Sequence, residues 1–334
     1  MDAFRSGIAF CFGRAALKLG ASGLLAATLL MGAAAEPYPT QTIKIIVPFP
    51  AGGLNDTVAR LVAPYLEQAL GKPVIIDNRG GASGSIGTKA VVAAAPDGYT
   101  LLMVASSHTI VPATNNTLPY DTVNDLAAIA MVSRNPLMFV VGNQTPAKTL
   151  LEFVALAKAA PGKFNFASVG PASQGHLVTE LFEQRAGILM QHIPYRGGAP
   201  AVTSLLTGET QFAVLSPQVS LPQIEARAMK AVAVGSLTRD PQFPEIPTVA
   251  ESGYPGFEAI QWVGLLAPAG TSREIVDQLN FEINRAIREP ELIAKFAQQG
   301  MSPAGGTPTA FQKTIETEVK LWIDIAQKAN IKVP

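Results

Sequence analysis

The stretch Ile43 to Arg60, IKIIVPFPAGGLNDTVAR, constrains the fold more than any other part of the chain. Ile43-Lys44-Ile45-Ile46-Val47 is an apolar, β-branched run of the length of one buried strand in a parallel sheet. Pro48 to Gly53 break that run, and Asn55 and Asp56 open a helix on which Val58, Leu61, Val62 and Leu66 recur at helical spacing. Strand, glycine loop and helix start in that order leave unpaired backbone N–H groups at the positive end of a helix dipole, which suits a carboxylate or a phosphate. Taken alone, the same stretch also reads as an ordinary strand-to-helix turn with glycines for tightness.

The pattern recurs. Pro73 to Asp77 reads as a second strand, followed by the glycine-rich loop Asn78 to Gly87 and a helix over Val91 to Ala95. Leu101 to Ala105 is a third strand, ending at Ser106-Ser107-His108, and residues 112–126 read as irregular. Such alternation predicts doubly wound α/β architecture, whose ligands sit outside the carboxyl ends of the strands. The apolar runs Ala127 to Val132 and Leu137 to Val141 mark a crossing into a second unit. That unit repeats the grammar: strand Phe164 to Ala167, loop Ser168 to Ser173, and a helix from about Gln174 with Ser173 as its N-cap. Further strands are expected at Gln191 to Pro194, Phe212 to Leu215 and Ala231 to Gly235. Gln261 to Pro268 returns the chain to the first unit, and helices starting near Ile275, after Pro290 and at Thr309 complete it.

Composition removes several classes. Arg5, Arg14 and Lys18 precede the apolar run Leu24 to Met31 and the small residues Gly32 to Ala35, so residues 1–35 read as a signal peptide. Without Asp2, Arg5, Arg14 and Lys18 the count falls from 25 basic and 25 acidic residues to 22 and 24. A chain this close to neutral is not built for nucleic acid or an anionic membrane. The one cysteine, Cys11, lies in that leader, leaving neither a disulfide framework nor a thiol nucleophile. The three histidines, 108, 176 and 192, lack metal-ligand spacing, so neither metal nor cofactor is expected.

Enzyme motifs fail in specific ways. Ser83 follows Gly81 but precedes Ser85, so there is no nucleophile elbow, and Thr88 stands where a Walker loop needs glycine before Lys89. Asp56 and Arg60 form an i,i+4 pair, and Asp56 is expected to support its loop rather than face an anion. His108 reads about equally as a polar ligand contact, His176 as a structural hydrogen-bonding residue and His192 as core or surface. Arg196, the one cation in a candidate loop, is either a solvated residue or a carboxylate clamp. Phe49 reads as an apolar wall of a pocket.

As an ordered set, these motifs resemble the Bug-type substrate-binding proteins of tripartite tricarboxylate transporters. Pro48-Phe49, Gly52-Gly53, Asp56 and Ala59-Arg60 match the family signature, as do Asn78-Arg79, Gly81 to Gly84, Asn165 to Ser168, His176-Leu177, Pro194-Tyr195, Pro247 to Glu251, Trp262 and Ala267 to Gly270. The resemblance implies a two-lobed periplasmic-binding-protein (type II-like) α/β fold, each lobe a mainly parallel sheet flanked by helices, with the ligand in the cleft between them. Lobe 1 is expected at 36–134 with 262–334 and lobe 2 at 135–261, closing about 132–136 and 258–263. The implied function is a monomeric periplasmic receptor that captures a small organic carboxylate, aromatic if Phe49 lines the site, and delivers it to a membrane permease. Expected ligand contacts are Phe49, Ala51, Gly52, Gly53 and Asn55 from lobe 1 and Ser168, Gly170, Ala172 and Ser173 from lobe 2. Ser83, Ser106, His108, Arg196 and Ser216, all in loops or at strand ends, complete the candidate set. Asn55, Arg196 and Gln211 depart from the family's usual hydroxyl, lysine and aspartate, Gln211 near the distal end of the site. Two alternatives stay open on the same frame: an exported hydrolase using Ser106 with His108, and a ligand-sensing partner of a membrane kinase.

Overall fold

The computed structural model describes residues 38–115 and 117–331; the expected signal peptide lies outside the described residues. The first unit comprises β1 (Ile43–Val47), α1 (Leu54–Leu70), β2 (Val74–Asn78), α2 (Ser85–Val92), β3 (Thr100–Ala105), α3 (Ser107–Thr114) and β4 (Leu126–Pro136). The second holds β5 (Met138–Gly142), α4 (Leu150–Ala159), β6 (Asn165–Ser168), α5 (Gln174–Ala186), β7 (Gln191–Pro194), α6 (Gly198–Thr207), β8 (Phe212–Leu215), α7 (Pro217–Glu225) and β9 (Met229–Val234). The chain then returns through β10 (Ile260–Pro268), α8 (Arg273–Ala286), α9 (Pro290–Gln298), β11 (Ser302–Pro303) and α10 (Pro308–Lys328).

These strands form two sheets, ordered β11-β4-β10-β3-β1-β2 and β7-β6-β8-β5-β9. The strand–helix repeats pair in parallel, β1 with β2 and β3, and β6 with β7 and β8. The crossing strands β4, β5 and β10 pair antiparallel. The sheets are therefore mixed rather than mainly parallel, because a strand that leaves one sheet for the other cannot follow the βαβ direction.

β4 and β10 run together from Leu126–Pro268 to Pro136–Ile260. Hydrogen bonds continue their ladder into the second sheet: Leu137 N–H to the Ala259 carbonyl (2.9 Å), Ala259 N–H to Gly235 (2.7 Å) and Gly235 N–H to Leu137 (2.8 Å). The two crossings thus form one hydrogen-bonded ribbon between the sheets.

Phenylalanine packing dominates the core on one face of the second sheet. Phe153 stacks on Phe212 with ring centroids 4.7 Å apart, and Phe139 meets Phe182 edge-on at 5.4 Å. All four rings are fully buried, each contributing roughly 1.5–3 kcal/mol relative to exposure. In the first unit Trp262 meets Phe311 edge-on at 5.1 Å. The last helix serves both: Phe311, Ile315 and Val319 join the first core, and Trp322, Ile325 and Ala326 the second.

Two local readings change. The second helix begins at Ser85, not Val91, because Gly87 is a packing residue inside it. A Cβ there would lie 2.7 Å from the Arg79 carbonyl and 2.8 Å from Pro48 Cβ. His108 sits on α3 rather than at a strand end, and that helix runs on to Thr114, taking the first three residues of the stretch expected to be irregular.

Candidate functional site

The β1–α1 junction is held open by its own side chains. Gly52 has φ +83°, a conformation that favours glycine. Its N–H donates to Asp56 Oδ2 at 2.8 Å, and Arg60 Nε reaches both Asp56 oxygens at 3.0 and 2.9 Å. Arg60 also donates to Asn78 Oδ1, and Asn78 Nδ2 donates to the Phe49 carbonyl at 3.1 Å. Burial pulls the Asp56 carboxyl upward, but its hydrogen bonds with Arg60, Gly52 and Asn78 prevail and hold it below its ordinary value. Asp56 therefore braces the loop, as its spacing to Arg60 suggests.

The N-cap of α1 is Gly53, which makes no side-chain cap bond. The N–H groups of the first turn precede the reach of i→i−4 bonding, so they keep their donors for a guest. The Asn55 side chain is buried, with Nδ2 turned toward the Met103 carbonyl at 3.5 Å. The Phe49 ring lies close to Gly84, and Phe49 is not among the residues lining the crevice between the starts of α1 and α7.

The β8–α7 junction is the second open tip. Ser216 is the N-cap of α7 and makes no side-chain cap bond, and Pro217 follows at the first helical position. The Val219 and Ser220 N–H groups both fold back onto the Ser216 carbonyl, at 3.1 and 3.2 Å.

A crevice of about 290 Å³ lies between these tips, lined by Gly52, Leu54, Thr57, Ser216, Gln218, Gln261, Gln299 and Met301. None of those residues carries a formal charge. A larger hollow of about 360 Å³ lies beside α5 and α10, around Phe257, Glu318 and Trp322. We place the functional site at the smaller crevice because it alone of the two receives uncapped helix tips from both sheets.

The β6–α5 junction, expected to answer the first loop, is closed on itself. The Ser168 hydroxyl contacts His192 Nε2 at 2.6 Å and receives the Gly170 N–H at 3.2 Å. The Ala172 N–H donates to His176 Nδ1 at 3.0 Å, the Ser173 N–H to the Gly170 carbonyl at 3.2 Å and the His176 N–H to the Ser173 hydroxyl at 3.4 Å. The His176 and His192 rings stack with centroids 3.6 Å apart. Burial pushes His192 down to about 4, and the neighbouring His176 adds to the effect. Ser173 is the N-cap that the sequence predicts, its hydroxyl accepting the His176 N–H.

The remaining candidates are dispersed. Ser106 Oγ donates to Gln174 Oε1 at 2.8 Å, and Gln174 Nε2 donates to the Ile260 carbonyl at 2.8 Å, a buried tie between the two sheets. His108 is buried on α3, where desolvation pushes it down to about 4 against a hydrogen bond with the Thr122 backbone. The Ser106–His108 pair that a hydrolase would need is not assembled. Ser83 and Arg196 are exposed, and neither lines the crevice. Gln211 accepts the Asn165 N–H and donates to the Gly208 carbonyl, so it frames β6 and β8 rather than a ligand.

Thr57, Gln218, Gln261, Gln299 and Met301 were not anticipated. Ser216-Pro217 after an apolar strand is itself a helix-start signal, an N-cap serine with proline at N1, and would have located Gln218. Gln261 and Gln299 leave no comparable local mark.

At the larger hollow, Glu318 on α10 accepts from Thr109 Oγ1 at 2.7 Å and from Trp262 Nε1 at 2.9 and 3.0 Å. Burial pushes its carboxyl up to about 7, and Glu258 adds to the rise. Among the described residues no group of histidine, cysteine or carboxylate side chains fits a metal ion, and no helix is long and apolar enough to cross a membrane.

Residues 58–331 match the family described as tripartite tricarboxylate transporter family receptor. The chain is 37% identical to protein BugT of Bordetella pertussis over 319 residues, covering 94% of this chain and 98% of that protein. Among solved structures it is similar to Rpa4515 of R. palustris with adipate, at 31% identity and a TM-score of 0.74, covering 88% of this chain and 99% of the other. It is similar also to MatC of Rhodopseudomonas palustris with bound malate, at 29% identity and a TM-score of 0.70, covering 86% and 99%.

Proposed function

The chain belongs to the tripartite tricarboxylate transporter family of receptors, and from that premise we propose that it is a periplasmic solute receptor for a small organic carboxylate. Residues 1–35 are its export signal, and it works as a monomer that passes its ligand to a membrane permease. Lobe 1 comprises 36–134 with 262–334 and lobe 2 comprises 135–261. They close about the ribbon at 132–136 and 258–263.

One observation carries this reading: two uncapped helix tips, at Gly53 and Ser216, flank a crevice without formal charge. A carboxylate between them gains oriented N–H donors and two favourable helix termini, without a cation that would hold it too tightly to release. On this basis the first contacts are the Gly52–Asn55 backbone and the Ser216–Gln218 turn. Phe49, Ala51 and Asp56 shape that loop, and the Ser168–Ser173 loop gives lobe 2 a rigid wall. The relatives solved with adipate and malate support a ligand bearing carboxylates.

The test is calorimetry and thermal shift of the mature protein against a panel of mono- and dicarboxylates. Saturable binding with a raised melting temperature is expected for a subset of the panel. A well-folded sample that binds none of them, or that converts a bound acid to product, would end the proposal.

A further inference from the structure

We propose that Gln218 selects the ligand's second polar group, so that the crevice takes carboxylates bearing a second hydrogen-bond acceptor and discriminates against equally long acids that end in a methyl group or an ammonium. This rests on the carboxylate reading above and sharpens it to one side chain.

Gln218 lines the crevice at the start of α7, yet its Nε2 is sealed from solvent and has no hydrogen-bond partner. A buried donor without a partner is an unfavourable state, relieved when the amide turns toward an acceptor. The crevice is where such an acceptor would arrive. Further donors stand beside it. Gln261 Oε1 is already engaged by Asn135 Nδ2 at 3.3 Å, which leaves Gln261 its amide donors. The first turn of α1 presents N–H groups, and α7 adds that of Gln218 itself, since Pro217 has none and Val219 and Ser220 donate to the Ser216 carbonyl. The Ser216 carbonyl is occupied twice over by Val219 and Ser220. An acceptor at the far end of the guest gives Gln218 Nε2 its partner, whereas a methyl, or an ammonium that can itself only donate, would leave it unpaired.

The experiment uses matched pairs on the mature protein: succinate with butyrate, glutarate with pentanoate and adipate with hexanoate, plus 4-aminobutyrate. For the pair of best-fitting length, calorimetry is expected to show the diacid binding roughly tenfold or more tighter than its monoacid, the scale of one buried donor regaining a partner. Gln218→Met, close in volume but without donors, is expected to bring that ratio near unity. A second readout needs no variant: the Gln218 side-chain NH₂ resonances of ¹⁵N-labelled wild type shift on saturation with the diacid and not with the monoacid. A Gln218→Met ratio equal to that of wild type, an unmoved NH₂ signal, or 4-aminobutyrate binding as tightly as succinate overturns the assignment while leaving the carboxylate reading intact. Binding of no acid at all overturns both.

Discussion

Two junctions in this molecule are written in the same grammar and built to opposite ends. At Val47–Leu54 and at Ser168–Gln174 a strand passes through a loop of small residues into a helix. In the first, one loop amide, Gly52 N–H, is spent on Asp56, and the cap residue has no side chain to spend on the turn. In the second, the N–H groups of Gly170, Ala172, Ser173 and His176 are all consumed by Ser168, His176, Gly170 and Ser173. A loop of small residues sets the path of the backbone. Whether its donors remain free depends on which side chains stand within reach of them. The open partner of the first tip is instead Ser216-Pro217, where proline removes one N–H and the serine makes no cap bond.

The largest effect that sharpens this contrast is steric. A Cβ on Gly175 would lie 2.3 Å from the Val214 carbonyl, and backbone cannot yield as a side chain can. Gly175→Ala should therefore cost about 3 kcal/mol or more in urea denaturation. A Cβ on Gly53 meets only the Pro50 carbonyl at 3.5 Å, so Gly53→Ala should cost about 0.5–1 kcal/mol, the difference in capping preference. Equal losses at the two positions would mean that α5 does not press on β8 and that the closed junction is not the rigid one.

Acid and base should act on the two sides differently. His192 titrates near 4 in the folded protein, below its ordinary value near 6.5. The unfolded chain thus binds the proton first, and stability is lost as pH falls from about 6.5 toward 4, by up to roughly 2 kcal/mol for this residue. His192→Gln, able to keep a hydrogen bond to Ser168, should flatten that acid limb, and an unchanged slope would remove His192 from the device. Glu318 works in the reverse sense. Its folded value near 7 lies above the ordinary 4.5, so the folded protein holds the proton longer and stability is lost as pH rises from about 4.5 through 7. Glu183, pushed up to about 8 chiefly by burial, extends the same trend. The two trends oppose one another below about pH 6.5, so the carboxyl contribution is read most cleanly between about 6.5 and 8. There Glu183→Gln should lessen the fall in melting temperature most, while Glu318→Gln removes only the part that ends near pH 7.

Much of the frame was legible because it is periodic. The β1–α1 unit, the two crossings and the Ser173 cap all leave local marks, and the i,i+4 spacing of Asp56 and Arg60 told their role. What was not legible depends on distant packing. Gly87 looks like loop until Pro48 and the Arg79 carbonyl stand beside it. His108 looks like a ligand-edge residue until α3 turns it toward Thr122. The site suffered most, since Gln218, Gln261 and Gln299 come from three separate segments that only the folded chain brings to one crevice.

The smallest effect is the most discriminating. Ser173 and Ser216 are both N-cap serines, but the Ser173 hydroxyl accepts the His176 N–H at 3.4 Å and the Ser216 side chain makes no cap bond. Removing a cap bond costs about 1 kcal/mol, although at this length the Ser173 bond belongs to the weaker half of that range. Ser173→Ala should accordingly lower stability by about 0.5–1 kcal/mol and leave the affinity for adipate or succinate within about twofold. Ser216→Ala should do the opposite, changing stability by less than about 0.5 kcal/mol while weakening the better-bound of these diacids several-fold, since Ser216 lines the crevice and has no cap bond to lose. Denaturation and calorimetry on the same two preparations separate the outcomes. If Ser173→Ala is the variant that loses affinity, the closed junction is the one that meets the ligand, and the assignment of α7 as the second open tip is wrong.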